Sequence, residues 1–503
     1  MDESFLLLFF KKEVLFFFEK KNQKTFPRLA LAAALRLAAI VHRMSTALAH
    51  ARGLAARGED AAAKQAYVEV LQRDPTHFAA LAELGALARA GGHRSAARSA
   101  YAQAVQCHPD NPVGRVGLGN LLFEDGDFAG AREHYTAALT ADPDFAPAHQ
   151  GLARALTEMG DPAAEQHWRK GFAGHAVTTR PYRGTGTGVP LLLLVSARGG
   201  NIPTQRWIDD RQFAITAIFA EFHDPAQTLP PHAVVVNAIG DADLCAADLA
   251  RAEALVAATK APVINPPSRV RATGRADNAR RLAHLPGVIA PAMATLSRPA
   301  AASGDVRGLG GIGFPLLVRP PGFHTGRHFR RVEDQAALAA AAATLPGDAL
   351  LAIQYLDARG PDGMARKYRV MCIDGVLYPL HLAISADWKV HYFTAAMTGD
   401  ALYRAEEQFF LENMPAALGP RAMAALAGIT EKLGLDYAGI DFALAPDGSI
   451  LLFEANATMV VHPPDPDPIW NYRRRAIDDV LTAVAAMLRR RMAERPAPPP
   501  GAG

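Results

Sequence analysis

The chain has 503 residues, 50% hydrophobic and 20% charged, which is enough apolar content for several folded cores and too much for a disordered chain. Its formal net charge of +3 excludes the global basic field on which nucleic-acid binding draws. Three widely separated cysteines, Cys107, Cys245 and Cys372, offer neither a disulfide framework nor metal-ligand spacing, as expected of a protein kept in a reducing cytoplasm.

Residues 1–43 are Phe- and Lys-rich, unlike the Ala-, Arg- and Gly-rich remainder. Their apolar runs, Phe5 to Phe10 and Val14 to Phe18, are too short to span a bilayer, and Arg36 interrupts Leu29 to Val41. Met44 begins MSTALAHARGLAARG, a suitable start for a helical array, so 1–43 is expected to be a mis-called start or else a membrane-associating leader. No membrane span is expected.

From residue 44 to 178 the chain repeats itself every 34 residues. Gly58, Gly92, Gly126 and Gly160 share one register; Ala63, Ala97 and Ala131, then Tyr67, Tyr101 and Tyr135, then Pro75, Pro109 and Pro143, and Leu84, Leu118 and Leu152 keep it. This is the tetratricopeptide length, two antiparallel helices per unit. The glycine ends the first helix of each unit, the alanine permits close approach, the tyrosine fills the seam between neighbours and the proline breaks the chain before the next unit. The unit from Ala146 to about Thr178 lacks the tyrosine and proline and reads as a terminal cap. Such an array offers a surface to a protein or peptide, or serves as a spacer or dimerisation face.

Residues 179–189, TRPYRGTGTGV, read as a linker. Strand-like runs at Leu191 to Val195, Ala214 to Phe219, Val234 to Val236 and Val263 to Ile264 alternate with helical stretches such as Ala246 to Thr259, so 190–268 is expected to be a small α/β domain with a parallel sheet. Ser196 to Asn201 follows its first strand, either as a ligand-meeting loop or as a plain turn. From 269 to 492 strands and hairpins alternate with long helices, including Ala336 to Leu345, Arg421 to Leu433 and Arg475 to Arg491; the proline-rich end, 493–503, is expected to be a loose tail.

The segment YAGIDFALAPDGSILLFEANATMV, residues 437–460, sets two apolar strands around Asp447-Gly448, a favoured two-residue turn. Counting back from that turn puts Phe442 opposite Phe453 and Asp441 opposite Glu454, with Asn456 further along the same face. Facing carboxylates between apolar strands are unfavourable unless a cation or a proton lies between them, and two carboxylates with an amide oxygen are hard ligands suited to magnesium.

This aspartate strand followed by Glu-x-Asn resembles the ATP-grasp superfamily, particularly glutathione synthetase and the ligases that add glutamate to ribosomal protein. The resemblance runs across roughly 190–490 and implies an α/β pre-ATP-grasp domain and an α+β ATP-grasp fold behind the all-α tetratricopeptide solenoid. It implies that Asp441, Glu454 and Asn456 hold Mg2+ or Mn2+ beside ATP. Arg275 and Arg319 stand where the family carries phosphate-contacting lysines, and Gly322, His324 and Gly326 lie in the loop that covers the triphosphate. Gln354, Tyr355 and Leu356 correspond to the strand that meets adenine, with Asp357 at ribose or in a linker. Arg369 takes the position of an arginine on phosphate or substrate, while Trp388, Lys389 and His391 stand towards the acceptor. His324, His381 and His391 in isolation read as ordinary histidines. The implied activity is ATP-dependent carboxylate–amine ligation through an acylphosphate, on small-molecule or peptide substrates. A kinase, or a nucleotide-binding adaptor weakened by its arginine replacements, is the alternative.

Overall fold

The structure is a computed structural model that describes residues 44–321, 328–390 and 397–493. Expectations about residues 1–43, Gly322, His324, Gly326, His391 and the tail beyond 493 therefore lie outside the described residues. The chain divides between Gly171 and Phe172 into two compact units.

The first unit is helical. After a helix over 44–56 come Asp60–Arg73, Phe78–Ala90, Arg94–Cys107, Pro112–Glu124, Phe128–Ala141, Ala146–Glu158 and Ala164–Phe172. The periodic glycines sit just past the first helix of each pair with φ of 74°, 77°, 82° and 71° at Gly58, Gly92, Gly126 and Gly160, the left-handed conformation that side chains resist. This lets the next amide turn back onto the helix it leaves: His93 N–H donates to Ala88 O at 2.8 Å and Asp127 N–H to Leu122 O at 2.9 Å.

Tyr67, Tyr101 and Tyr135 are buried, Tyr135 completely. Each of the latter two rings lies between a pair of glycines outside the five periodic columns. Tyr101 rests on Gly85 and Gly117, Tyr135 on Gly119 and Gly151, so the tyrosine bridges a unit to the one after it. In the last pair Trp168 replaces the missing tyrosine from one residue earlier; it is buried, and its Nε1–H donates to Thr157 Oγ1 at 3.3 Å.

The second unit is a mixed helix and sheet structure with three sheets. The first has the order β1 (Val177–Thr179), β3 (Phe213–Phe219), β2 (Val189–Val195), β4 (Val234–Asn237), β5 (Val263–Ile264). All its pairs are parallel except β1 on β3. The repeat array was expected to run to about 178. The β-branched run Val177-Thr178-Thr179 instead adds an antiparallel edge to this sheet, so the expected boundary falls inside a strand.

A second sheet, antiparallel, orders β7 (Met293–Ser297), β10 (Ala349–Gln354), β8 (Leu316–Arg319) and β9 (Arg330–Val332). The third orders β12 (Val376–Ser385), β11 (Ala365–Ile373), β13 (Tyr437–Leu444), β14 (Ile450–Asn456) and β6 (Val288–Ile289). One continuous core joins the first and third sheets. Asn265 locks the two together: its N–H donates to Asp436 Oδ2, and its amide bridges the N–H and carbonyl of Tyr437, each at 2.8 Å.

The β13–β14 hairpin differs from the expected register in two compensating ways. Leu444 pairs with Ile450 and Ala445 N–H donates to Ser449 O, so the loop is Pro446-Asp447-Gly448, with Gly448 at φ 78°, rather than the two-residue turn. Phe442 therefore pairs with Leu452, not Phe453. A bulge between Asp441 and Phe442 absorbs Phe453 and returns Asp441 to a position opposite Glu454.

Both the tyrosine seams and the last helical pair have measurable consequences. An ideal Cβ on Gly119 would lie 2.7 Å from the ring of Tyr135, so Gly119→Ala should destabilise by about 1–3 kcal/mol although alanine is the better helix former. Urea unfolding followed at 222 nm checks this, and an unchanged or raised midpoint would contradict it. In the last pair His149 Nε2 lies 2.9 Å from Pro143 O, which only accepts, so His149 Nδ1 is left to accept from His167 Nδ1–H at 2.8 Å. Burial, then His149 and Lys170, hold His167 below its ordinary 6.5, against Asp161. The unfolded chain thus takes up a proton that the folded one resists, so stability is full above pH 6.5 and falls as pH drops below it. Melting of the helical signal should shift downward from about pH 7.5 to about pH 5.5, and His167→Asn should reduce the shift.

Candidate functional site

Cross-strand pairing sets four polar residues in one row of the third sheet: His381 on β12, Arg369 on β11, Asp441 on β13 and Glu454 on β14. Strand alternation then carries Lys367 and Arg369 on the same face. A second shift in register, between Arg369 and Val370, skips Leu380. The row therefore lies between two bulges, and Leu380 beside His381, like Phe453 beside Glu454, lines the cleft that this face borders.

Asp441 is 3% exposed. Arg369 grips it with two bonds, Nε to Oδ1 at 2.6 Å and Nη2 to Oδ2 at 2.8 Å, and Lys367 Nζ reaches Oδ2 at 3.2 Å. Burial alone would raise the carboxyl's pKa, yet these two cations outweigh it and hold Asp441 well below the usual carboxylate range. Beside the same cations His381, which is buried, is pushed well below 6.5 by burial first and Arg369 second.

Glu454 Oε1 accepts from Arg275 Nη2 at 2.7 Å and from Asn456 Nδ2 at 2.8 Å. Arg275 opens the helix Arg275–Leu282, where its own N–H donates to Asp243. Arg319 ends β8, 7% exposed, with its guanidinium over the Phe329 ring at 5.7 Å. Burial, and Arg275 alongside, lower its pKa to about 10. Among the described residues no carboxylate lies within ion-pair distance of it.

These groups face a cleft of about 570 Å³ between the second and third sheets, within the range of small-ligand sites. Its lining combines apolar side chains, Pro291, Met293, Leu317, Ile353 and Leu356, with the cations Arg275, Arg319, Lys367, Arg369 and Arg473. Gln354 and Tyr355 also line it. The backbone N–H of Ala292 can only donate, so it fixes Gln354 Oε1 as its acceptor at 3.1 Å, and Arg331 stacks 4.4 Å over Tyr355. Asp357 is not brought to the cleft: its carboxylate turns to Arg359, with Nε to Oδ1 at 2.8 Å. Trp388 and Lys389 line the cleft. The Ser196 loop closes on itself, with Ser196 N–H on Asn201 Oδ1 at 2.8 Å and Ser196 Oγ on Asp248 at 2.7 Å, and its Gly200 and Asn201 line the cleft.

The resemblance implies a magnesium ion held by Asp441, Glu454 and Asn456, and their present arrangement does not suit one. Both oxygens of Asp441 are occupied by cations, and Glu454 Oε1 is occupied twice. Asn456 Oδ1 accepts from Thr458 N–H at 3.0 Å and Thr458 Oγ1 at 2.8 Å, so it is the amide nitrogen that faces Glu454. Among the described residues no group of three His, Cys, Asp or Glu side chains could hold a metal. The cation that the facing carboxylates require is guanidinium.

Three contributors were given no role from the sequence. Lys367 had a signal, since it shares a strand face with Arg369. His381 gains its place only through pairing across β11 and β12. Arg473 comes from the short helix Pro468–Arg473 and is held by Glu407, fully buried, with Nη2 to Oε2 at 2.6 Å; nothing in its local sequence marks it.

A tetratricopeptide-repeat family model matches residues 122–164, and the helical repeats of the first unit resemble a tetratricopeptide solenoid. No curated protein sequence matches the chain. Among solved structures, MamA from Desulfovibrio magneticus RS-1 is 22% identical, covering 26% of this chain and 74% of that one with a TM-score of 0.24. Pseudomonas aeruginosa PilF is 21% identical over 26% and 61%, TM-score 0.25. A mutant of Thermobaculum terrenum O-GlcNAc transferase is 18% identical over 45% and 42%, TM-score 0.28. At such low scores none of them carries a conclusion about this chain. No helix among the described residues is long and apolar enough to cross a membrane. Tetratricopeptide repeats suggest a protein or peptide partner for the first unit.

Arg369→Ala would leave Asp441, 3% exposed, with Lys367 alone. Removing one partner of a buried pair costs about 3–5 kcal/mol, whereas an apolar replacement of both costs much less. Full-chain denaturation should show a large loss for Arg369→Ala and a smaller one for Arg369→Met combined with Asp441→Leu. Equal losses would contradict this account.

Proposed function

We propose that the second unit is an ATP-grasp-type module that binds a nucleoside triphosphate in the cleft and joins a carboxylate to an amine, with the repeats presenting a protein or peptide partner. The observation that carries this reading is the cleft's lining, which joins a set of apolar side chains to several arginines, a chemistry matched to a nucleobase and its phosphates. Pro291, Met293, Leu317, Ile353 and Leu356 accept the base. Arg319 and Arg275 face the phosphate oxygens, where a planar fork makes paired bonds.

In the reaction a substrate carboxylate oxygen attacks the γ-phosphorus, and the bond from that phosphorus to the bridging oxygen breaks to release ADP. The amine nitrogen then attacks the acyl carbon of the acylphosphate, phosphate departs, and the amine loses a proton as the amide forms. The protein's part is positioning and charge neutralisation, and no side-chain nucleophile is needed.

A second reading, a nucleotide-binding adaptor with little turnover, is favoured by one observation: the carboxylates of the hairpin are already ion-paired. Incubating the full chain with ATP and paired sets of amino acids and short peptides, and measuring ADP, separates the readings. Ligation gives ADP and free phosphate only when carboxylate and amine are both present. A phosphorylated product from one substrate alone would identify a kinase instead. Nucleotide binding with no ADP from any pair would leave the adaptor.

A further inference from the structure

Two features of the cleft bear on how it would hold a polyphosphate. Arg319 carries a nearly buried positive charge with no carboxylate among the described residues in direct contact; Glu454, Asp241 and Asp243 act on it only from a distance. Each carboxylate of the Asp441–Glu454 row, by contrast, already has an arginine against it, at 2.6 Å for Arg369 and 2.7 Å for Arg275. A divalent cation bridging the two carboxylates would have to displace a two-bond guanidinium from buried Asp441 and leave that charge beside its own. Magnesium also gives up its water reluctantly. An incoming anion meets the opposite situation, because it supplies the contact partner that Arg319 does not have among the described carboxylates. The ion pairs alongside need not break to admit it.

We propose that this cleft binds polyphosphate as the free anion, without a divalent metal: Arg319 is the principal receptor, Arg275 flanks it, and Arg369 with Lys367 occupies the seat a metal would take. This rests on reading the cleft as a nucleotide site. Metal-free binding is a property of these ion pairs and does not depend on which reaction, if any, takes place there.

The test is calorimetric titration of the full chain with ATP and with inorganic tripolyphosphate, each in EDTA and in excess magnesium. Both ligands should bind, with Kd in EDTA no more than about threefold weaker than in magnesium. Arg319→Gln should weaken both about tenfold or more while leaving the unfolding midpoint close to native. Manganese added without nucleotide should keep the electron paramagnetic resonance spectrum of the free ion, and Arg369→Gln, by releasing Asp441, should bind it. If that variant does not fold, the native-chain measurements decide alone. ATP binding that weakens more than about tenfold in EDTA would overturn the inference while leaving the nucleotide site standing. So would manganese binding to the native chain. Failure of both ligands to bind in either buffer would overturn the nucleotide reading and this inference with it.

Discussion

A carboxylate in the middle strand of a buried sheet needs a cation within reach, and at Asp441 that cation is the guanidinium of Arg369, with Lys367 behind it. The requirement fixes more than one contact. Arg369 meets Asp441 only while β11 and β13 keep their register, and a slip of β11 by one residue would send Arg369 into the apolar core on the other face and leave Asp441 without it. The same register sets His381 on one side and Glu454 on the other, and Glu454 in turn positions Arg275 at the start of its helix. The polar floor of the cleft is thus assembled from four strands by one electrostatic condition.

The neighbouring packing is built to hold that condition. Tyr368 and Phe442, next along β11 and β13, stack with ring centroids 5.5 Å apart on the core side. Tyr437 sends its hydroxyl to Met459 O at 2.7 Å and stacks on Trp207, tying the third sheet to the first. Apolar contacts of this kind supply the stability, and the ion pairs supply uniqueness of register rather than net energy.

Much of this was legible in the residues. The 34-residue period marked the helical pairs because one steric demand, a left-handed glycine, recurs in each, and alternating apolar runs marked the parallel strands. The pairing of Asp441 with Glu454 could be counted back from the turn, although that count succeeded because a longer loop and a bulge cancel. Other features depend on partners distant in sequence. Arg369 gave no sign that its countercharge lay 72 residues away. The glycines beneath Tyr101 and Tyr135 are spread over two columns of the repeat, which hid their common purpose. The strand Val177–Thr179 is too short to show a period, and only the open edge of β3 makes it a strand.

The bulge at Phe453 also bears on how this hairpin can change in length. Because Phe453 has no partner on β13, it is a supernumerary residue: its neighbours Leu452 and Glu454 already face the adjacent positions Phe442 and Asp441. Losing it would close the ladder into regular pairing with the charged row intact, and the cleft would forfeit one aromatic wall. Loss of any paired residue between the row and the turn would throw the two strands out of step. Length variation in this hairpin is thus confined to its loop and to one position beside the site, where it alters the shape of the cleft and spares the charges on its floor.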